Sequence, residues 1–132
     1  MRIQLATVMV DDQQKALKFY TEILGFVEKR EIPMGESTWV TVVSPEGPQS
    51  LELILQPVGF LPAKLYQKSL FDAGSSAIAF ASDDIEAECR RLKELGVTFR
   101  DEPVSAQAMT SVLFEDTCGN LVTLYRATDA PI

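Results

Sequence analysis

The chain has 132 residues, 46% of them hydrophobic and 23% charged, with a net charge of −7 and no histidine. That length suits one compact domain with a proper core, and the composition excludes disorder. The acidic balance speaks against a nucleic-acid partner, whose phosphates need a basic patch, and no run approaches the ~18 apolar residues of a membrane span.

Residues 3–10 alternate loosely and are rich in apolar and β-branched side chains, which predicts a strand. Asp11 then serves as a helix N-cap with Gln14 as its capping-box partner. Ala16, Phe19, Tyr20, Ile23 and Leu24 recur at helical spacing through residues 13–24 and leave Lys15, Lys18 and Glu22 outside. Gly25 suits the helix end, where positive φ is needed. Strands are predicted over 26–32, 38–44 and 50–56, separated by turns that contain Pro33-Met34-Gly35 and Ser44-Pro45-Glu46-Gly47-Pro48. The first unit therefore reads β-α-β-β-β.

Residues 58–74 form an apolar linker carrying Phe60, Leu61, Leu65, Tyr66, Leu70 and Phe71, with a short helix expected over 65–70. A connection of this length and composition suits a lid or a packing element. The same order of elements then returns. A strand over 75–82 leads to Asp83, capping with Glu86, and Ile85, Cys89, Leu92 and Leu95 mark a buried helix face over 84–95. After Gly96, strands are expected over 98–101, 110–115 and 121–126, the last two joined by Asp116-Thr117-Cys118-Gly119-Asn120. The tail, 127–132, reads as frayed. At an offset of 71 residues Asp12 falls on Asp83, Ala16 on Ala87, Leu24 on Leu95 and Gly25 on Gly96, the mark of a duplicated module.

The fold class is thus α+β: two tandem β-α-β-β-β modules, residues 1–57 and 75–127 of a single domain, forming cup-shaped, half-open mixed sheets with the helices outside. Asp11, Asp12, Asp83 and Asp84 are explained as helix caps and not as paired catalytic carboxylates. Cys89 reads as a core residue, and Cys118 as a turn residue open to solvent without a histidine to activate it. The opening Met1-Arg2-Ile3-Gln4 has no apolar core of signal-peptide length, and two unpaired cysteines suit a reducing cytoplasm.

Phe19-Tyr20-Thr21-Glu22-Ile23-Leu24-Gly25-Phe26, Ile78-Ala79-Phe80-Ala81-Ser82-Asp83-Asp84-Ile85 and Asp116-Thr117-Cys118-Gly119-Asn120-Leu121-Val122-Thr123-Leu124 stand in an order that resembles the vicinal oxygen chelate superfamily. That group holds glyoxalase I, extradiol dioxygenases and the bleomycin- and fosfomycin-resistance proteins. The resemblance spans nearly the whole chain and implies paired cups enclosing a ligand. It also implies four metal-ligand positions, which fall at Leu5, Glu52, Ala77 and Thr123. Only Glu52 could bind a cation, so the metal chemistry does not transfer and no cofactor is expected.

Extended by strand alternation from those four positions, the resemblance implies that Leu5, Thr7, Glu52, Ile54, Gln56, Ala77, Ala79, Thr123 and Tyr125 line the inner face, with Trp39 and the linker aromatics as stacking surfaces. Such a floor suits a small hydrophobic or aromatic molecule, and the acidic charge is compatible with a cationic one. The functional reading is a metal-independent, glyoxalase/bleomycin-resistance-like protein that binds a small organic molecule and pairs as a homodimer. Two alternatives stand beside it. One is a metal-dependent lyase or dioxygenase. The other is a metal-free isomerase or lyase in which a buried Glu52, its pKa raised by desolvation, is the catalytic base; otherwise Glu52 is a solvated residue at the cup's mouth or a relic of an ancestral ligand.

Overall fold

The computed structural model describes residues 1–106 and 109–127, arranged in two compact units, Met1–Tyr66 and Gln67–Ile132. Each unit carries one four-stranded mixed sheet. In the first, β1 (Leu5–Val10), β2 (Val27–Met34), β3 (Ser37–Val43) and β4 (Glu52–Pro57) lie in the order β1-β4-β3-β2. The β1–β4 pair is parallel, with Leu5 beside Glu52 and Thr7 beside Ile54, and the other pairs are antiparallel. In the second unit β5 (Ile78–Ala81), β6 (Val104–Ala106), β7 (Met109–Glu115) and β8 (Leu121–Ala127) repeat the plan as β5-β8-β7-β6. Neither sheet closes on itself. The tandem β-α-β-β-β architecture expected from the repeat is present.

One face of each sheet is buried and its helix packs there. Val8, Val10, Val40, Val42 and Leu55 share a parity in the first sheet and are buried, as are Ala16, Phe19 and Tyr20 of the helix that packs on β4. Each such aliphatic side chain withdrawn from water contributes about 1.5–3 kcal/mol. In the second sheet Val112, Phe114, Val122 and Leu124 share the buried face, and Ile85, Cys89 and Leu92 are the buried residues of α3 (Ile85–Glu94), which packs on β8.

The first helix departs from the expected continuous segment. α1 (Gln13–Lys18) ends in a π-helical turn, Phe19–Ile23, where Leu24 N–H reaches back to the Phe19 carbonyl at 3.0 Å. The Thr21 hydroxyl donates to the Leu17 carbonyl at 2.7 Å, a side-chain bond that competes with the regular backbone pattern. The widened turn buries both Phe19 and Tyr20 and leaves Ile23 and Leu24 half-buried.

Four further expectations shift. The caps are Asp12 and Asp84, whose carboxylates accept from Lys15 N–H and Ala87 N–H, one residue later than the capping boxes suggested. The linker helix is longer than 65–70: α2 runs Leu61–Asp72. Leu95 is 47% exposed and Cys118 is fully buried, the reverse of their sequence readings. The segment 98–101 makes only an isolated bridge, Phe99 to Phe114, and the strand forms after Pro103. Gly25 and Gly96 take φ of +88°, as the two helix ends require. Of the tail, 127–132, only the Ala127 backbone lies within the described residues.

Candidate functional site

Away from α1, the first sheet presents Leu5, Thr7 and Met9 from β1, Glu52, Ile54 and Gln56 from β4, Trp39 and Thr41 from β3, and Arg30, Ile32 and Met34 from β2. Strand parity and register alone bring these together. All six predicted residues of this unit, Leu5, Thr7, Trp39, Glu52, Ile54 and Gln56, share the face. Leu5 and Thr7 are exposed, Trp39 and Gln56 half-buried, and Ile54 and Glu52 buried.

Glu52 is 3% exposed and stands in a network, not at a solvated mouth. Its Oε1 accepts from the Thr41 hydroxyl at 2.7 Å and from Arg30 Nε at 2.9 Å, while Lys29 Nζ lies 3.8 Å from Oε2. These donors come from two different strands, and a β-bulge makes the convergence possible. Glu28 pairs with Val42 and Arg30 with Thr41, so Lys29 is an extra residue, and two consecutive cations reach one carboxylate. The Thr41 hydroxyl bond is the largest influence on the carboxyl and holds its pKa below the ordinary range. Burial pushes the other way but is outweighed once Arg30 and Lys29 are added. The upward shift expected of a buried Glu52 does not occur.

Nearby, the Gln13 amide donates to the Thr38 and Leu55 carbonyls, both at 2.9 Å, where β3 and β4 diverge beyond their paired residues. It ties the start of α1 to both strands.

In the second sheet the corresponding face carries Ala79, Thr123 and Leu113 in one row, then Ala81, Tyr125, Ser111 and Val104. Thr123 therefore sits beside Ala79. Ala77, carried over as a strand position, instead precedes β5 and donates its N–H to the Leu121 carbonyl at 2.8 Å, two residues before Ala79, which is the residue that pairs with Thr123. A cavity of about 310 Å³ opens here, lined by Val104, Ser111, Val112, Leu113 and Thr123 together with the charged Arg100, Asp101 and Glu102. Arg100 is held by Glu115 at 3.3 Å and lies 4.9 Å over the ring of Phe71 from α2.

The turn before β8 is rigidly built. Asp116, buried, accepts from Cys118 N–H, Asn120 N–H and the Asn120 amide at 2.7, 3.0 and 2.8 Å. Gln67 of α2 donates to the Cys118 carbonyl and to Asn120 Oδ1.

The four positions that would hold the family's metal do not fit one. Leu5 and Ala77 have no donor atom, Thr123 offers a neutral hydroxyl, and the Glu52 carboxylate is already engaged by Thr41, Arg30 and Lys29. Among the described residues no group of three or more His, Cys, Asp or Glu side chains could hold an ion. No helix there is long and apolar enough to cross a membrane.

Arg30, Lys29 and Thr41 are the site residues that sequence reasoning missed. The available signal was the Lys29-Arg30 doublet inside a predicted strand, where alternation would have sent the two side chains to opposite faces.

Fold and sequence place the chain in one family. Residues 2–124 match the Glyoxalase/Bleomycin resistance protein/Dioxygenase superfamily, and the chain belongs to it. It is 47% identical over 122 residues to the Bacillus subtilis protein YurT, covering 92% of this chain and 96% of YurT. Among solved structures it is similar to UcmS2, with 30% identity, a TM-score of 0.81 and coverage of 95% of this chain and 97% of that one. It is also similar to TnmS3, an antibiotic-binding protein from Streptomyces sp. CB03234, with 27% identity, a TM-score of 0.73 and 97% of each chain covered.

Proposed function

We propose that the protein binds a small organic molecule on the open faces of its sheets without a resident metal. The observation that carries this reading is the occupied state of Glu52. The one carboxylate that could have served a metal is committed to Thr41, Arg30 and Lys29. Around it lie apolar and aromatic side chains, Leu5, Ile32, Trp39 and Ile54, on the same face. The second sheet adds a cavity of about 310 Å³, at the lower end of what a small-molecule site uses. The similarity to TnmS3, an antibiotic-binding protein, supports binding and sequestration over turnover.

A base role for Glu52 is the weaker reading, because a carboxylate whose pKa lies below the ordinary range draws protons poorly at neutral pH. Pairing into a homodimer is part of the proposal, supported by the exposed Leu5, Ile32, Met34 and Val104 on or beside these faces. Sedimentation showing only monomer at micromolar concentration would remove that part.

The test is a thermal-shift screen of aromatic natural products and metabolites in the presence of EDTA. A ligand held at one hundred times its Kd stabilises the native state by about 2.7 kcal/mol, an easily read shift. Hits found in EDTA and unaffected by added metal are the expected result. Hits that appear only after Zn²⁺, Mn²⁺ or Fe²⁺ is restored would overturn it.

A further inference from the structure

We infer that Arg30 is the anion-recognising residue of this face, selecting an aromatic ligand that presents two coplanar oxygens bearing a negative charge. The inference rests on the small-molecule reading above and names the ligand class.

The geometry of the guanidinium leads there. Arg30 spends its Nε on Glu52 Oε1 at 2.9 Å, and that bond fixes the plane of the group. The side chain is nevertheless 45% exposed, and no hydrogen bond from its Nη1 or Nη2 is made among the described residues. A guanidinium held through Nε keeps its outer edge, two parallel N–H donors, for a carboxylate-like partner. The buried carboxylate behind it orients the fork.

Charge agrees with shape. The chain carries −7 in total, but at this point one carboxylate faces two cations, leaving a local excess of one positive charge. The acidic side chains of the same strand do not cancel it. Glu28 and Glu31 pair with Val42 and Val40, the parity of the opposite face. A cationic aromatic guest, compatible with the bulk charge, is therefore disfavoured at Arg30. Next to the fork stand Trp39 and Ile32, cross-strand partners one row away on the same face. They suit the ring of an aromatic acid, which would place its oxygens on Arg30 and its body on the indole.

Trp39 is the sole tryptophan, so its fluorescence reports on this face. The probes are benzoate, benzyl alcohol and benzylamine, titrated in EDTA against wild type, Arg30→Gln and the double variant Arg30→Gln/Glu52→Gln. The double variant leaves no buried carboxylate without its guanidinium; Lys29 loses Glu52 but keeps solvent and the Gln49 carbonyl at 2.6 Å, so the test stays open if the single variant fails to fold. Wild type should bind benzoate at least about tenfold more tightly than benzyl alcohol, the ratio expected of hydrogen bonds to a charged group. Benzylamine should bind more weakly than benzyl alcohol. Either variant should reduce the benzoate preference to within about twofold. Equal binding of benzoate and benzyl alcohol by wild type, or a preference that survives both substitutions, overturns the role of Arg30 while leaving the cup as a ligand site. Absence of binding by all three probes overturns the cup reading and this inference with it.

Discussion

Replacing Thr41 by valine isolates the bond that most strongly shapes the site. The two side chains have nearly the same outline, and Thr41 is 0% exposed, so the change removes one hydroxyl and little packing. That hydroxyl donates at 2.7 Å to a carboxylate that is itself buried. A hydrogen bond to a charged group in such a place contributes about 1.5–3 kcal/mol. Taking roughly 2 kcal/mol, a domain of this size should lose about 7 °C in Tm. The loss must also depend on pH. Because the folded pKa of Glu52 is depressed, its contribution is complete above the unfolded value of about 4.3 and disappears as pH falls through the folded one. Urea unfolding of wild type and Thr41→Val at pH 7, 5 and 3.5 should show the gap widest at pH 7 and narrowing towards roughly 1 kcal/mol in acid, where the bond joins neutral groups. A gap under about 0.5 kcal/mol at pH 7, or one that does not change with pH, would refute the assignment of the ionised carboxylate to this hydroxyl.

Four other outcomes are expected. Asp116→Asn turns an amide toward three N–H donors and should cost about 2–3 kcal/mol in urea unfolding. Gly119→Ala should cost about 2 kcal/mol, because φ is +99° and a Cβ would come within 2.8 Å of the Gln67 side chain. Adding Gln67→Ala should recover the contact part and leave the backbone part. Neither thiol should react with an aromatic disulfide reagent in the native protein, and both should react after unfolding, since Cys118 and Cys89 are buried and burial pushes the Cys89 thiol up. Zn²⁺, Ni²⁺ or Mn²⁺ should move Tm by less than about 1 °C, and stoichiometric metal in a purified sample would contradict the reading of Glu52.

Element order and the tandem architecture were legible in the sequence because both depend on local periodicity and on a repeat that can be seen by eye. The caps slipped by one residue since each helix begins with an Asp doublet, and either member satisfies a capping pattern. The segment around Phe99 carried strand-like residues, yet only one bridge formed there, and Val104–Ala106 supplied the edge strand instead. Glu52 was found through a family resemblance. Its partners were not, because Thr41 and Arg30 lie 11 and 22 residues away and meet it only through strand register. A bulge is invisible to a pattern that assumes strict alternation. Leu95 and Cys118 were misjudged for a related reason: exposure near a helix end or in a turn is decided by what packs against it.

The bulge at Lys29 makes one position of the chain unusually forgiving to loss. Deleting a residue from an ordinary strand sends every later side chain to the other face. Here Val27 and Glu28 precede the extra residue in the same alternation that Arg30, Glu31, Ile32 and Met34 follow after it. Removing Lys29 would simply straighten the ladder, leaving Arg30 opposite Thr41 and Ile32 opposite Trp39. Natural or engineered length variation in β2 can therefore occur at this point without turning the strand inside out. What it would change is charge, since the shortened strand would offer Glu52 one cation and bring the site to neutrality.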